Sequence, residues 1–431
     1  MNEYDSNRIY DVAKEINYKK TKILSETNCY VLNTCHIREK ATEKVYHDIG
    51  RLKKEFKNKK KPIVIVIGCV AQAEGDLLLK KEKYIDAVIG PQSYQHFNKT
   101  VLKIEKKEKE INFTDFDVIE KFDSLRLINN SNKRISSFLT IQEGCDKFCK
   151  FCVVPYTRGS EFSRSTNEII KECENLAKNG AKEITLLGQN VNAYNFKGNR
   201  LAYLINEISK IQEIRRIRYT TSHPIDFSDD LIEAHYKNKK LMPLIHLPIQ
   251  SGSNKILRKM NRKHSIEFYV SLIEKLKRVN PSIRFSSDFI IGYPDENEKD
   301  FHETLNLLEK IGYINTYSFI YSPRPGTPAA KMSVIKNSIA KERLIIFQKK
   351  AEKIKMRYRK NLFKKKSFVL FENKINNDNT YFGRDEYQNS VVVKSNKNLI
   401  GEIKKINITN GNLNTLFGEV DNKETERNFA A

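Results

Sequence analysis

Three thiols fall within eight residues, Cys145, Cys149 and Cys152 of EGCDKFCKFCVVPYTRG, a C-x3-C-x2-C spacing on a loop that also carries Asp146, Lys147 and Lys150. Thiols that dense on a polar loop are unsuited to core packing and well suited to a soft metal centre. Zinc is one candidate, but a structural zinc wants four ligands, and the nearest histidines, His223 and His246, stand on other strand ends. A four-iron cluster held by three protein thiolates leaves one iron open to a substrate, and that is the expected occupant. Two further thiols each follow an apolar run: Cys35 in NTCHIREKA comes after Tyr30–Leu32, and Cys69 in IGCVAQAEG after Ile63–Ile67. In a parallel sheet the carboxyl ends of the strands share one edge, so these two thiols are expected on the same rim although they lie far apart in sequence. Cys29 opens the strand that Cys35 ends, about 20 Å away in extended chain, and reads as a core or edge cysteine. Cys173 shares a helical face with Ile169, Ile170 and Leu176, which marks it as packing. His36 reads as a surface residue or a neighbour of the ligand rather than a ligand itself.

The elements that must hold these thiols form three parts. Up to about residue 130 the pattern is α/β: helical stripes at Ser6–Ile16 and at Ala41, Val45, Ile49, Leu52 and Phe56 alternate with the two strands, and 103–132 reads as an irregular polar connection. From 135 to 330, apolar strands at 135–142, 183–187, 216–220, 244–247, 284–291 and 316–320 alternate with helices. Thr166 and Ser265 are expected to start two of these helices; Gly180, Asn280-Pro281 and Gly312 to end three. Six βα units in a row imply a parallel sheet curled into a partial (β/α)6 barrel, whose chemistry sits beyond the carboxyl strand ends. There the sequence places Gly188-Gln189-Asn190 and Ser222-His223, so Gln189, Asn190 and His223 are candidates to line a pocket. After an amphipathic helix at 338–361, short strands at 367–371, 390–394, 399–408 and 413–420 suggest a small antiparallel barrel, with a loose tail from Asp421.

The chain of 431 residues is long enough for two to four domains and carries a net charge of +24. Its Lys- and Asn-rich composition accounts for scattered lysines, but 331–366 holds fourteen Lys and Arg against two acids, half the net charge in one stripe, and phosphate is its expected partner. The longest apolar run, 62–71, is too short to span a membrane, and the polar start cannot serve as a secretory signal. A cytoplasmic protein is therefore expected, and in that compartment the seven cysteines should be reduced. Arg158 and Arg164 follow the cysteine loop and read as surface arginines within reach of phosphate or carboxylate. The 51–61 stretch RLKKEFKNKKK reads as a solvated helix end. No P-loop, dinucleotide fingerprint or hydrolase triad is present.

Taken together, C-x3-C-x2-C on the first loop of a six-unit barrel resembles the radical S-adenosylmethionine superfamily, and IQEGCDKFCKFCVVPYTRG resembles its methylthiotransferase branch. LLGQNVNAY (186–194), TTSHP (220–224), HLPIQSGS (246–253) and SPRPGTPA (322–329) agree with that branch. NTCHIREKA is similar to the MiaB-type tRNA 2-methylthio-N(6)-dimethylallyladenosine synthases, and the C-terminal part resembles the RNA-binding TRAM domain. The resemblance covers essentially the whole chain and implies three domains: 1–105 with an auxiliary cluster, 131–361 as the radical core, and 362–425 as TRAM. It implies two [4Fe-4S] clusters and S-adenosyl-L-methionine, with Cys145, Cys149 and Cys152 holding the cluster that binds S-adenosylmethionine. Cys35 and Cys69 match two ligands of the second cluster, which carries the sulfur. One S-adenosylmethionine would methylate that sulfur and another would supply a 5′-deoxyadenosyl radical to carbon 2 of isopentenylated adenosine 37, in the anticodon stem-loop of tRNA. The catalytic residues, electron donor and sulfur source are not identified by the resemblance, and the protein is expected to act as a monomer away from membranes. Methylthiolation of threonylcarbamoyladenosine or of a ribosomal protein, or a non-catalytic iron–sulfur RNA-binding role, remain as alternatives. The family's third auxiliary cysteine lies in a segment like GCQMNEYDS, whereas this chain opens at MNEYDS. The expected reason is a start codon assigned too far downstream, and the chain as written is expected to hold its auxiliary cluster poorly.

Overall fold

Ile63–Gly68 (β2) is nearly continuous aliphatic sequence, which suits the middle of a parallel sheet covered on both faces. The computed structural model, which describes residues 1–35, 40–107, 111–114, 121–122, 134–375 and 379–421, places it there. The sheet runs β1-β2-β3-β4, all parallel, with β1 Cys29–Thr34, β3 Ala87–Ile89 and β4 Ile111–Phe113. Alternation along β2 divides the core. Ile65 and Ile67 pack with Ile9 and Val12 of α1 (Asn2–Lys14) and Phe97 and Val101 of α4 (Phe97–Glu105). Val66 faces Val45 and Ile49 of α2 (Lys40–Glu55) and Leu78 of α3 (Cys69–Lys81). The expectation of an irregular connection from 103 onward is corrected in part, since α4 continues to Glu105 and β4 adds a fourth strand to the sheet. His36 and the tail beyond Asp421 lie outside the described residues.

The second part is the expected partial barrel. Its strands are β5 Ser136–Thr140, β6 Glu183–Leu187, β7 Arg216–Thr220, β8 Leu244–His246, β9 Arg284–Ile291 and β10 Asn315–Ile320. They form two parallel three-stranded halves, β7-β6-β5 and β8-β9-β10, joined by a bridge between Ile217 and Leu241. Helix ends mostly follow the sequence signals: Ser265 Oγ accepts from Phe268 N at 3.2 Å, and Gly312 closes Glu298–Ile311 in the left-handed conformation. One start is corrected, because Thr166 is the first helical residue of Thr166–Lys178 and Ser165 precedes it as the cap. Among the described residues no helix is long and apolar enough to cross a membrane.

Beyond the long helix Asn337–Lys360 (α5) the chain closes a five-stranded barrel, β11-β12-β13-β15-β14, from Lys366–Ile375, Thr380–Arg384, Ser390–Lys394, Ile403–Gly411 and Thr415–Val420. It is not wholly antiparallel as expected: β13 and β15 pair in parallel, which closes the barrel. Buried arginines fix it to its neighbours. Arg216 donates to the carbonyls of Arg384 (2.9 Å) and Phe368 (2.6 Å). Arg218 donates to those of Glu386 (2.8 Å) and Asp385 (2.9 Å), while its Nε meets Glu183 at 2.9 Å. Two members of the basic stripe are likewise structural and not free for phosphate: Arg343 pairs with Glu296 (3.0 Å), and Arg359 donates to Asn412 O (2.6 Å). Lys341, Lys349, Lys353 and Lys360 remain exposed on the same helix. Removing Arg218 leaves Glu183 buried with its closest cation gone, so Arg218→Ala is expected to cost about 3–5 kcal/mol in denaturant unfolding. Lys404→Ala, which removes a half-exposed lysine paired with the exposed Glu402, should stay within about 0.5 kcal/mol of the parent in the same assay.

Candidate metal centres and substrate cavity

The cysteine loop is shaped before any metal is considered. Gln142–Glu143 pairs antiparallel with Phe162–Ser163 and closes the loop at its base. Gly144 sits at φ +77° against the Ser160 carbonyl, a position where a Cβ would collide with backbone. Cys145 N donates to Gly159 O (3.1 Å) and Cys152 N to Cys149 O (2.9 Å). From outside, Asn261 Nδ2 donates to Phe148 O (2.9 Å) and Lys150 N to Met260 O (3.0 Å). The thiol of Cys149 is buried and accepts from Arg262 Nη1 at 3.6 Å, while Arg262 Nη2 donates to Pro248 O at 2.5 Å.

Burial pushes the Cys145 and Cys152 thiols up to about 12, and each feels the charge of Cys149. A nucleophilic cysteine needs the opposite shift, so the loop is not built for thiol attack, whereas bound iron would itself supply the positive charge that deprotonates a ligand. Among the described residues no three His, Cys, Asp or Glu groups converge on a point that would hold a single ion. Three thiols on one short, backbone-pinned loop, with Arg262 donating to the Cys149 sulfur, suit a soft-metal cluster in which each takes a different iron, and the [4Fe-4S] group fits them on that ground.

The pocket candidates divide. Gln189 works on the loop, its Oε1 accepting from Gly144 N at 2.7 Å. Asn190 donates from Nδ2 to Glu161 (3.0 Å) and Asp226 (2.7 Å), leaving its Oδ1 buried without a partner. His223 Nδ1 accepts from Ile225 N at 3.3 Å, which puts the ring proton on Nε2, a buried donor without a partner. Burial, with the nearby Arg262 charge, holds this imidazole far below its ordinary range, so it is neutral. Ser222 Oγ, Tyr321 OH and Ser322 Oγ are also unpartnered beyond the carboxyl strand ends. Each such group costs about 1–3 kcal/mol unless a ligand meets it, so the rim fits a polar molecule such as S-adenosylmethionine.

Cys35 and Cys69 come together as expected. Thr34 pairs with Gly68 in the last step of the β1–β2 ladder, so Cys35 and Cys69 follow directly on two adjacent strand ends, whose backbones run roughly 5 Å apart. Gly68, at φ +93°, lets the Thr34 carbonyl approach where a Cβ would block it. Thr34 Oγ1 then donates to Ile67 O (2.6 Å) and accepts from Val70 N (3.3 Å), tying the two turns. These two thiols fit two ligand positions of an auxiliary cluster. Cys29 lies at the far end of β1, and Cys173 is fully buried in the barrel core.

Cys35 also lines a cavity of about 1530 Å³ that continues past Thr185, His246, Asp288 and Tyr317 of the barrel to Arg384 of the C-terminal barrel. His246 Nδ1 lies 3.0 Å from Ser286 Oγ, and Tyr317 is half exposed in this space. The sequence carried no sign of Arg262, one of two adjacent bases in MNRKH. It also misplaced Arg158 and Arg164, which are buried: Arg158 pairs with Asp5 at 3.0 Å and Arg164 with Glu172 at 2.8 Å.

A three-thiol loop on the rim of a six-stranded partial barrel is the arrangement of the radical S-adenosylmethionine class. The Radical SAM superfamily matches residues 139–308, the Uncharacterized protein family UPF0004 residues 1–90, and the TRAM domain residues 368–420. The tRNA-2-methylthio-N(6)-dimethylallyladenosine synthase of Pelagibacter ubique (strain HTCC1062) is 54% identical over 97% of this chain and 95% of its own. The synthase of the same name from Rickettsia akari (strain Hartford) is 45% identical over 97% of each. The chain belongs to the tRNA-2-methylthio-N(6)-dimethylallyladenosine synthase family of radical S-adenosylmethionine methylthiotransferases. In fold it is similar to the radical S-adenosylmethionine methyltransferase TsrM of Kitasatospora setae, with a TM-score of 0.56 at 11% identity over 76% of this chain and 74% of that one.

Cys149→Ala is expected to abolish 5′-deoxyadenosine formation while leaving tRNA binding in place. Continued 5′-deoxyadenosine production, read by chromatography, would refute the assignment of this loop.

Proposed function

We propose that the chain converts N(6)-isopentenyladenosine at position 37 of tRNA to its 2-methylthio derivative, taking the anticodon stem-loop as substrate. The observation that carries this reading is the single cavity that has Cys35 on one wall, the barrel interior on another and the TRAM barrel on a third. A base entering it meets both the domain that would hold the sulfur and the barrel that would hold the radical source.

Cys145, Cys149 and Cys152 hold the cluster that binds S-adenosylmethionine; Cys35 and Cys69 are two ligands of the auxiliary cluster. When bound, the first cluster supplies the electron that releases a 5′-deoxyadenosyl radical able to take hydrogen from an unactivated carbon. The protein's own part is placement and exclusion. Gln189 and Asn190 brace the loop that carries the thiols, and Arg262 donates to the Cys149 sulfur, which fixes that side chain in place. The Nε2 proton of His223 is a donor for the bound cofactor or base, and Asn190 Oδ1 an acceptor. Tyr317, on the last barrel strand, offers a ring face to a nucleobase, a contact worth about 1–3 kcal/mol per base. Enclosure matters because a carbon radical must reach an inert C–H bond before anything else does.

The division of labour follows the domains: 1–105, extended by β4, for the auxiliary cluster, 131–361 for radical generation and 362–425 for RNA. The exposed lysines of α5 grip tRNA phosphates, and the protein works as a monomer in the cytoplasm. tRNA nucleosides from a deletion strain should lack 2-methylthio-N(6)-isopentenyladenosine and accumulate the unmethylthiolated nucleoside. Mass spectrometry showing that pool unchanged, or a change confined to threonylcarbamoyladenosine or to ribosomal protein, would rule out this substrate. Replacing Lys349, Lys353 and Lys360 by Ala should weaken tRNA binding and lower the log–log salt slope by about 2–3.

A further inference from the structure

Between the two sets of thiols lies a group of four charges that neither site uses. Asp5, Lys121, Glu143 and Arg158 are all nearly inaccessible to solvent. Arg158 Nη2 meets Asp5 Oδ2 at 3.0 Å and Nη1 meets Glu143 Oε1 at 3.5 Å. Lys121 Nζ meets Glu143 Oε1 at 2.5 Å and Asp5 Oδ1 at 3.9 Å, and lies 4.9 Å from the centre of the Tyr94 ring. Two acids and two bases balance, so the four side chains carry no net charge among themselves. Stability does not explain it either, because burying ion pairs costs as much as apolar packing would return. What it does supply is direction, since each contact fixes one segment against another.

The segments are telling. Glu143 stands two residues before Cys145, and Arg158 six residues after Cys152, so the pair grips both stems of the cysteine loop. Asp5 belongs to α1, and α1 is bound to β1 through Asn33, whose Nδ2 donates to Asn2 O (2.8 Å) and Ser6 Oγ (2.7 Å). Asn33 lies two residues before Cys35. Gln92 of the first domain donates to the Arg158 carbonyl at 2.9 Å. A continuous line of bonds thus runs from the strand ending in Cys35, through α1, to both stems of the loop carrying Cys145, Cys149 and Cys152.

We propose that Asp5, Lys121, Glu143 and Arg158 are positioning residues that hold the two thiol-bearing edges at a fixed separation, and so serve sulfur transfer rather than S-adenosylmethionine cleavage. The inference rests on the methylthiotransferase reading above. Transfer needs the sulfur and the activated carbon in near contact, and a misplacement of about 1 Å costs on the order of a hundredfold in rate. Cleavage needs only the loop and its cofactor.

Asp5→Asn in the intact 431-residue chain keeps the shape and removes one charge. In the metal-free protein, amides 144–158 should exchange with deuterium roughly tenfold faster than in the parent, with the C-terminal barrel unchanged, if local opening is eased by the lost pair. After reconstitution, 5′-deoxyadenosine formation should stay within about twofold, while methylthiolated nucleoside per 5′-deoxyadenosine falls by about tenfold or more. Unchanged loop exchange overturns the proposal; so does a loss of cleavage and transfer in equal proportion, which would mark a merely structural role. A parent chain that carries both clusters by iron analysis and cleaves S-adenosylmethionine, yet methylthiolates no nucleoside, overturns the functional reading instead, and the exchange experiment, which needs no substrate, still decides the network.

Discussion

Parallel strand pairing is the constraint from which the rest of the molecule follows. It sends every strand in a sheet the same way, so whatever the sequence places after a strand arrives at one edge. In the first domain this brings Cys35 and Cys69 side by side, because β1 and β2 pair in register through Thr34 and Gly68. In the barrel it gathers the cysteine loop, Gln189, Asn190 and His223 around one rim. The glycines at 68 and 144 are the local condition for this gathering: each stands where a side chain would push neighbouring backbone away.

Much of this was legible in the residues, and what was hidden was hidden for physical reasons. The six barrel strands are short stretches with apolar positions between helices, and β6, β7 and β9 begin and end where the pattern places them. Ala87–Ile89 and Ile111–Phe113 escaped because three residues carry no periodicity of their own, and Thr380–Arg384 because a glycine and an arginine break its pattern, so only pairing with a neighbour makes them strands. The parallel pair inside the C-terminal barrel is a closure requirement that no local pattern encodes. Spacing alone found the thiols, since ligands to one centre must be near one another.

The arginines were the hardest to read. Arg158 finds its partner 153 residues away, and Arg216 and Arg218 find carbonyls more than 150 residues downstream. A guanidinium buried against backbone oxygens looks, in sequence, like any surface charge. Its planar array of donors is what lets it satisfy several carbonyls at once, a task a lysine cannot take over. The basic surplus of this chain therefore has two uses: one part faces outward, and another works as internal stitching between domains.

That stitching changes what the C-terminal barrel is. Arg384, Gln388, Ser390 and Asn414 belong to it, yet they line the same cavity as Cys35 and His246. The module that resembles an RNA-gripping appendage is also masonry of the reaction chamber. Its grip on nucleic acid and the shape of that cavity are therefore one property, and a chain shortened to its first two domains would be a vessel without a floor, not the same vessel with a weaker handle.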